Sequence, residues 1–214
     1  MIYPNDLAHN EAYQRIFVAD YNAGRVWIIT LDHQVNQFNA DRGAWTLSVT
    51  PDGQVLVVGN SGNTVTKYNQ TGQVTQMVDL AALGFNSTEH VVETSTGTWI
   101  LTQADSTSGV HRVCEINSQG ELLKSYGGQR GSEPGQLNLP VHIAVDQLTG
   151  RVFVADAGNH RVLMFDDQLT LLGIVLIVAT SNLPWRLSFD SGTLVIGLTG
   201  TGKTVLTYHI PPPT

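Results

Sequence analysis

The chain has 214 residues, 42% of them hydrophobic and only 14% charged, and its 11 basic and 18 acidic side chains leave a net charge of −7. With no run of Lys or Arg to neutralise phosphates, nucleic acid is not expected as a ligand. One cysteine excludes an intramolecular disulfide, and 21 glycines suit short strands joined by tight turns in a single all-β domain.

Taken in chain order, the same two-strand opening recurs. Pro4-Asn5-Asp6-Leu7-Ala8 is followed by a strand over Arg15–Asp20. Ala44–Val49 is followed, after the turn Pro51-Asp52-Gly53, by Gln54–Gly59. Glu89–Glu93 leads to Thr98–Gln103, Pro140–Val145 to Arg151–Asp156, and Pro184–Phe189 to Thr193–Leu198. The openings lie roughly 40–50 residues apart, the period of a propeller blade. Each unit therefore reads as four antiparallel strands, and the blades divide at about 1–42, 43–86, 87–138, 139–182 and 183–214. Ile143, Val145, Val152, Val154, Ile16, Val18, Leu56 and Val58 are expected between blades. Asp79–Gly84 is long enough for one helical turn, and Leu169–Val178, too short to span a membrane, is expected as a buried fourth strand.

Gly127–Asp166 runs G-G-Q-R-G-S-E-P-G-Q-L-N-L-P-V-H-I-A-V-D and on through V-F-V-A-D-A-G-N-H-R-V-L-M-F-D. This segment resembles an NHL repeat, with Asn159 and His160 supplying the first two letters of that name and Val162 where leucine or valine is usual. R-I-F-V-A-D-Y-N-A-G-R-V in blade one resembles it too. The resemblance implies a six-bladed ring, whereas the fifth copy reaches Ile210-Pro211-Pro212-Pro213 after its third strand. Proline cannot donate to a ladder. An unsealed junction between blades five and one is therefore expected: an open strand edge, a gap where a sixth blade would sit, or a partner filling it. Open edges invite pairing, so the chain is expected to self-associate.

Two sets of residues stand out in the repeat. Asp20 and Arg25 in blade one, and Asp156 and Arg161 in blade four, flank the turn between second and third strands at the same offset. Blade two loses both charges together, at Gly59 and Thr64, so each pair is expected to form a clamp across its turn. The second set is Asp6, Thr46, His90, His142 and Arg186, one polar side chain near the start of each first strand. First strands line the central channel, so these five are expected to converge on one channel mouth as a ligand or protein contact ring.

No G-x-S-x-G occurs in the sequence, and its 18 acids are scattered over loops with no paired-carboxylate motif. Gly197–Thr204 spells the phosphate-loop pattern, but a β-branched strand follows where the mechanism needs a helix, so a hairpin is expected. The zinc lyase of peptide amidation, which resembles NHL propellers, carries metal-binding histidines directly after the opening proline. Asn5, Trp45, Glu89, Val141 and Trp185 hold those positions here, and its zinc set does not carry over. No cofactor or metal is assigned.

The expected function is a non-enzymatic scaffold that binds a protein partner. The resemblance to the NHL domains of tripartite-motif proteins implies the substrate-recognition part of a larger ubiquitin ligase, although RING and B-box zinc ligands are missing here. The alternative is a propeller lyase or hydrolase with a metal at the channel mouth, held by His90, His142 and Asp6. The opening Met-Ile-Tyr-Pro-Asn-Asp lacks the features of a secretory signal, so a cytoplasmic location is expected, or an extracellular one if the chain is part of a longer protein.

Overall fold

The computed structural model describes residues 3–11, 13–40, 43–59, 61–201 and 203–212. It is a five-bladed β-propeller in which every sheet is an antiparallel meander. Blade one comprises β1 Pro4–Asn10, β2 Arg15–Asp20, β3 Arg25–Thr30 and β4 Val35–Asn39. Blade two comprises β5 Thr46–Val49, β6 Val55–Val58, β7 Thr64–Tyr68 and β8 Val74–Asp79. Blade three has β9 Thr88–Glu93, β10 Trp99–Asp105, β11 Val110–Ile116 and β12 Leu122–Gly127. Blade four has β13 Pro140–Val145, β14 Val152–Asp156, β15 Arg161–Phe165 and β16 Leu171–Ile177. Blade five has three strands, β17 Asn182–Asp190, β18 Thr193–Gly200 and β19 Thr204–His209.

Side chains alternate across a strand, so each blade offers one face to the blade before it and one to the blade after. In blade four both faces are covered. Val152 and Val154 pack with Ile100 and Val113 of blade three, and Phe153 and Ala155 pack with Leu194 and Ile196 of blade five. Blade one carries nearly the same hexapeptide, Arg15–Asp20 against Arg151–Asp156, in a different setting. Its Phe17 and Ala19 are fully buried against Leu47 and Val55 of blade two. Ile16 and Val18, expected between blades, are only half-buried. Their face looks toward the position before blade one, where no blade lies among the described residues.

Blade five shows the complementary half of this gap. Leu194 and Ile196 are buried toward blade four, while Val195 and Gly197 on the opposite face are half-buried. Hydrophobic cores join blades one and two, two and three, three and four, and four and five. Among the described residues none joins blade five to blade one.

Polar contacts supplement these cores. Lys67 of blade two, 9% exposed, donates to both oxygens of Glu93 of blade three at 3.0 and 2.9 Å, a buried pair that sequence periodicity did not reveal. In blade four Arg161 Nε donates to Asp156 at 2.7 Å, and the same arginine donates to the carbonyls of Ser132 and Gln136, pinning the long connection that enters the blade. Asn159 donates to Asp156 and to the Gly131 carbonyl, and His160 adopts φ 56° to close the turn. The blade-one clamp does not form. Asp20 accepts instead from the Tyr3 amide and the Trp27 indole, and Arg25 donates to Gln37. Trp27 replaces Leu163 of blade four at the position paired with Val18, and its indole N–H competes for the carboxylate.

Three other segments complete the comparison with the sequence. The turn after Asp79 is a 3₁₀ helix over Ala81–Leu83. The apolar run near Leu169 does form the fourth strand of blade four, but as an outer edge strand with Ile174 and Ile177 exposed rather than as a buried one. The phosphate-loop pattern lies in the β18–β19 hairpin, with Gly202 outside the described residues. Cys114 is buried in the core between blades two and three, where burial pushes its thiol up to about 12 against a small opposing effect of Arg112.

Matched substitutions test the one-sided packing of blade one. Val154→Asp should cost roughly 3 kcal/mol or more, because the charge enters a dry inter-blade core, and Val18→Asp at the equivalent position less than about 1 kcal/mol. Equal losses in chemical denaturation would mean that blade one is covered on both faces. A double-mutant cycle on Asp156 and Arg161 should show coupling of about 0.5–3 kcal/mol, and the same cycle on Asp20 and Arg25 none.

Candidate functional site

The inner strands bring Asp6, Thr46, His90, His142 and Arg186 together at the centre of the ring. Their aim depends on bulges. The pairing of β1, β9, β13 and β17 with the second strand of each blade skips one residue at Asn5, Glu89, Val141 and Trp185, directly before the ring positions. An extra residue on one strand kinks it and re-aims the next side chain. That is why simple alternation from the strand start misjudges where these residues point.

Each ring residue reaches the backbone of the following blade. Asp6 Oδ2 accepts from the Leu47 amide at 3.0 Å, and Thr46 Oγ1 donates to the Glu89 carbonyl at 2.6 Å. His90 Nδ1 accepts from the Ile143 amide at 3.4 Å, and His142 Nδ1 from the Leu187 amide at 3.3 Å. Arg186 completes the circuit across the gap, donating to the Asn5 carbonyl at 2.7 Å and lying 3.0 Å from Asp6 Oδ1. The two imidazoles stack at 3.7 Å between centroids. Asp6, Thr46, His90 and His142 are all at most 7% exposed. The expected mouth is therefore plugged, because these side chains bond to neighbouring blades, with His142 Nε2 the ring atom left without a hydrogen-bond partner among the described residues.

This network fixes charge states. Burial, and then His142, holds the His90 imidazole well below its usual range against the pull of Asp6. Burial likewise lowers His142, with Asp6 opposing. Burial would raise the Asp6 carboxyl, but the neighbouring His142, His90 and Arg186 bring it down to about 2. With both imidazoles neutral, Arg186 is the standing counter-ion of Asp6.

Asp6, His90 and His142 place one ligand atom each within 4.8 Å of one another, so a metal deserves a direct test. The Nε2 atoms face Asp6, at 3.9 Å for His90 and 3.7 Å for His142. A metal on Nε2 needs that nitrogen unprotonated and the proton on Nδ1. Each Nδ1, however, accepts a backbone N–H, so a proton there would face another proton. The Asp6 oxygens are also committed, one to Arg186 and one to Leu47. The donor set does not fit a divalent cation.

The plug divides the channel. Beyond it, toward the C-terminal ends of the inner strands, lies an open cavity of about 590 Å³, with His90 and His142 at its floor and Ala8, Ser48, Ala144 and Ser188 in its walls. On the other side, between Tyr21, Trp45 and Glu89, lies a recess of about 210 Å³. Trp45 Nε1 donates to Glu89 Oε2 at 3.0 Å. Neither carboxylate nor indole was singled out as a pair in the sequence, because 44 residues separate them.

Blades of this pattern around a channel make the protein a β-propeller. No protein-family model matches the chain. It is similar to NHL repeat-containing protein 3 of mouse and of human, each 27% identical over 165 residues. The match covers 72% of this chain and 45% of each relative, so the chain spans under half the length of the curated relatives it matches. Among solved structures, a gluconolactonase from Xanthomonas campestris superposes with a TM-score of 0.70 at 17% identity, covering 99% of this chain and 77% of that one. A virginiamycin B lyase from Staphylococcus aureus gives 0.66 at 16%, over 98% and 71%. A chain of a nidogen–laminin complex gives 0.73 at 13%, over 92% and 72%. At these identities the structural likeness is one of fold. Among the described residues no helix is long and apolar enough to cross a membrane.

The neutral imidazoles predict an acid-side loss of stability. Below about pH 6.5 the unfolded chain protonates both histidines while the native plug does not, so the unfolded state binds more protons and native stability falls as pH falls. Above about pH 7 the melting temperature should be level. Replacing His90 and His142 together with Gln should flatten the slope below about pH 6.5, leaving a remnant from His111, which burial also lowers. An unchanged slope would mean the imidazoles are already charged in the fold.

Proposed function

We propose that this propeller is a non-enzymatic module that binds a protein partner on the face of the Trp45–Glu89 recess. The observation that carries this reading is the use of the central titratable cluster. Asp6, His90, His142 and Arg186 are spent on joining blades. An imidazole nitrogen that already accepts a backbone amide is not free to take a proton from a substrate. The solved structure of a related fold within a nidogen–laminin complex supports the same use of a propeller. The flank between blades five and one, with Leu7 66% and Val205 67% exposed, is proposed as a surface for self-association.

The alternative, a metal-dependent lyase or hydrolase at the channel, draws on the proximity of Asp6, His90 and His142 and on enzymes such as the gluconolactonase among the similar folds. One experiment separates the two. Purified protein should carry no stoichiometric zinc or calcium by elemental analysis, and chelator should leave its melting temperature unchanged. A partner captured by the immobilised chain should be lost on substituting Tyr21→Ala at the recess and kept on substituting Ser188→Ala in the channel cavity. Stoichiometric metal with loss of stability in chelator would decide for the enzyme.

A further inference from the structure

The recess beside the plug has properties that point to one kind of guest. It lies at the junction of three blades, with Tyr21 just after β2, Trp45 just before β5, and Thr88 and Glu89 at the start of β9. At about 210 Å³ it is smaller than the roughly 300–1,000 Å³ usual for small-molecule sites, and of a size for one side chain. Trp45 is held on two sides, by its indole bond to Glu89 and by the edge of Tyr21 at 5.3 Å and 72°. A fixed indole beside a carboxylate is a setting for a cation, attracted both by the ring face and by the charge.

The carboxylate has capacity to spare. One Glu89 oxygen accepts from Trp45, and the other has no hydrogen-bond partner among the described residues. Burial raises the Glu89 carboxyl above its usual range, with the Trp45 bond and Arg186 opposing, so an added cation would relieve a charge that the fold leaves poorly compensated. Arg186, the neighbouring cation, is already engaged by Asp6 and the Asn5 carbonyl. Thr88, only 1% exposed, lines the recess with its hydroxyl oxygen unpartnered among the described residues. Among the described residues no Lys or Arg lines the site, so nothing there favours an anionic guest.

We infer that the recess formed by Tyr21, Trp45, Thr88 and Glu89 is a socket for a single basic side chain, an arginine or lysine presented by a protein partner. This rests on the binding-module reading above and adds to it the chemistry of the partner. Arginine residues seated in aromatic-walled pockets are recurrent anchors of protein interfaces, which accounts for so small a pocket mattering.

The test follows the Trp45 indole N–H by NMR, assigned by its loss in Trp45→Phe. N-acetylarginine amide should shift it saturably at millimolar concentration, and the citrulline analogue, a neutral isostere, should not. Glu89→Gln keeps an acceptor for the indole and should weaken the arginine response about tenfold or more. Tyr21→Ala, at a side chain 38% exposed, gives a second variant should Glu89→Gln fail to fold. Equal shifts from citrulline, no saturable response, or full affinity in both variants would overturn the socket. A protein partner that binds while arginine does not would remove the socket and leave the module. Arginine binding by a chain that takes no protein partner would overturn the module, and with it the partner assigned to this site.

Discussion

The bond from the inner strand of one blade to the backbone of the next is the interaction on which the centre of this molecule depends. A propeller has no ladder between blades, so backbone bonds between adjacent sheets are isolated, as from the Thr88 amide to the Gly62 carbonyl at 2.8 Å. At the channel, where the blades converge, the buried strand starts also need partners for their amides. Asp6, His90 and His142 accept those amides, Thr46 donates to a carbonyl, and Arg186 carries the circuit from blade five back to blade one. Arginine suits that last place because it alone of the five is long enough to cross an interval that no blade fills, and its planar head serves a carbonyl and a carboxylate together.

Outside the channel the blades are joined by apolar packing, and its incompleteness explains much of the surface. The second strands of blades two, three and four are buried on both faces, whereas those of blades one and five alternate between buried and half-buried. Blade one turns Leu7, Ile16, Val18 and Trp27 toward the gap, and blade five turns Ser188, Val195 and Val205. The two flanks differ in polarity, so the gap is not lined by two equivalent apolar walls. Arg186 bridges them only at the axis.

The same plug decides what kind of chemistry the channel supports. Groups with the right identities for metal or proton transfer are present, but the Nδ1 atoms of both histidines and one Asp6 oxygen already accept backbone amides. The two spaces on either side of the plug inherit different characters as a result. The larger cavity combines small apolar and hydroxyl side chains with His90 and His142, while the smaller recess keeps an underused carboxylate beside a fixed indole.

The sequence by itself determined the class of fold and the strand positions, because the repeat period, the turn residues and the alternation of apolar side chains are local properties that tertiary packing did not override. It also located the five central residues, since they recur at one place in the repeat. Partnership was not legible. Arg15–Asp20 and Arg151–Asp156 are almost the same string, yet burial of Ile16 and Val152 differs because a neighbouring blade covers only the second. Asp156 meets Arg161 while Asp20 meets Trp27, a choice made by which donor the adjacent strand supplies. The bulges that aim His142 and Arg186, the burial of Lys67 on Glu93, and the meeting of Trp45 with Glu89 all depend on residues brought together from different strands or blades. Periodicity along the chain records which face a side chain takes, and only the arrangement of blades around the axis decides what waits on the other side.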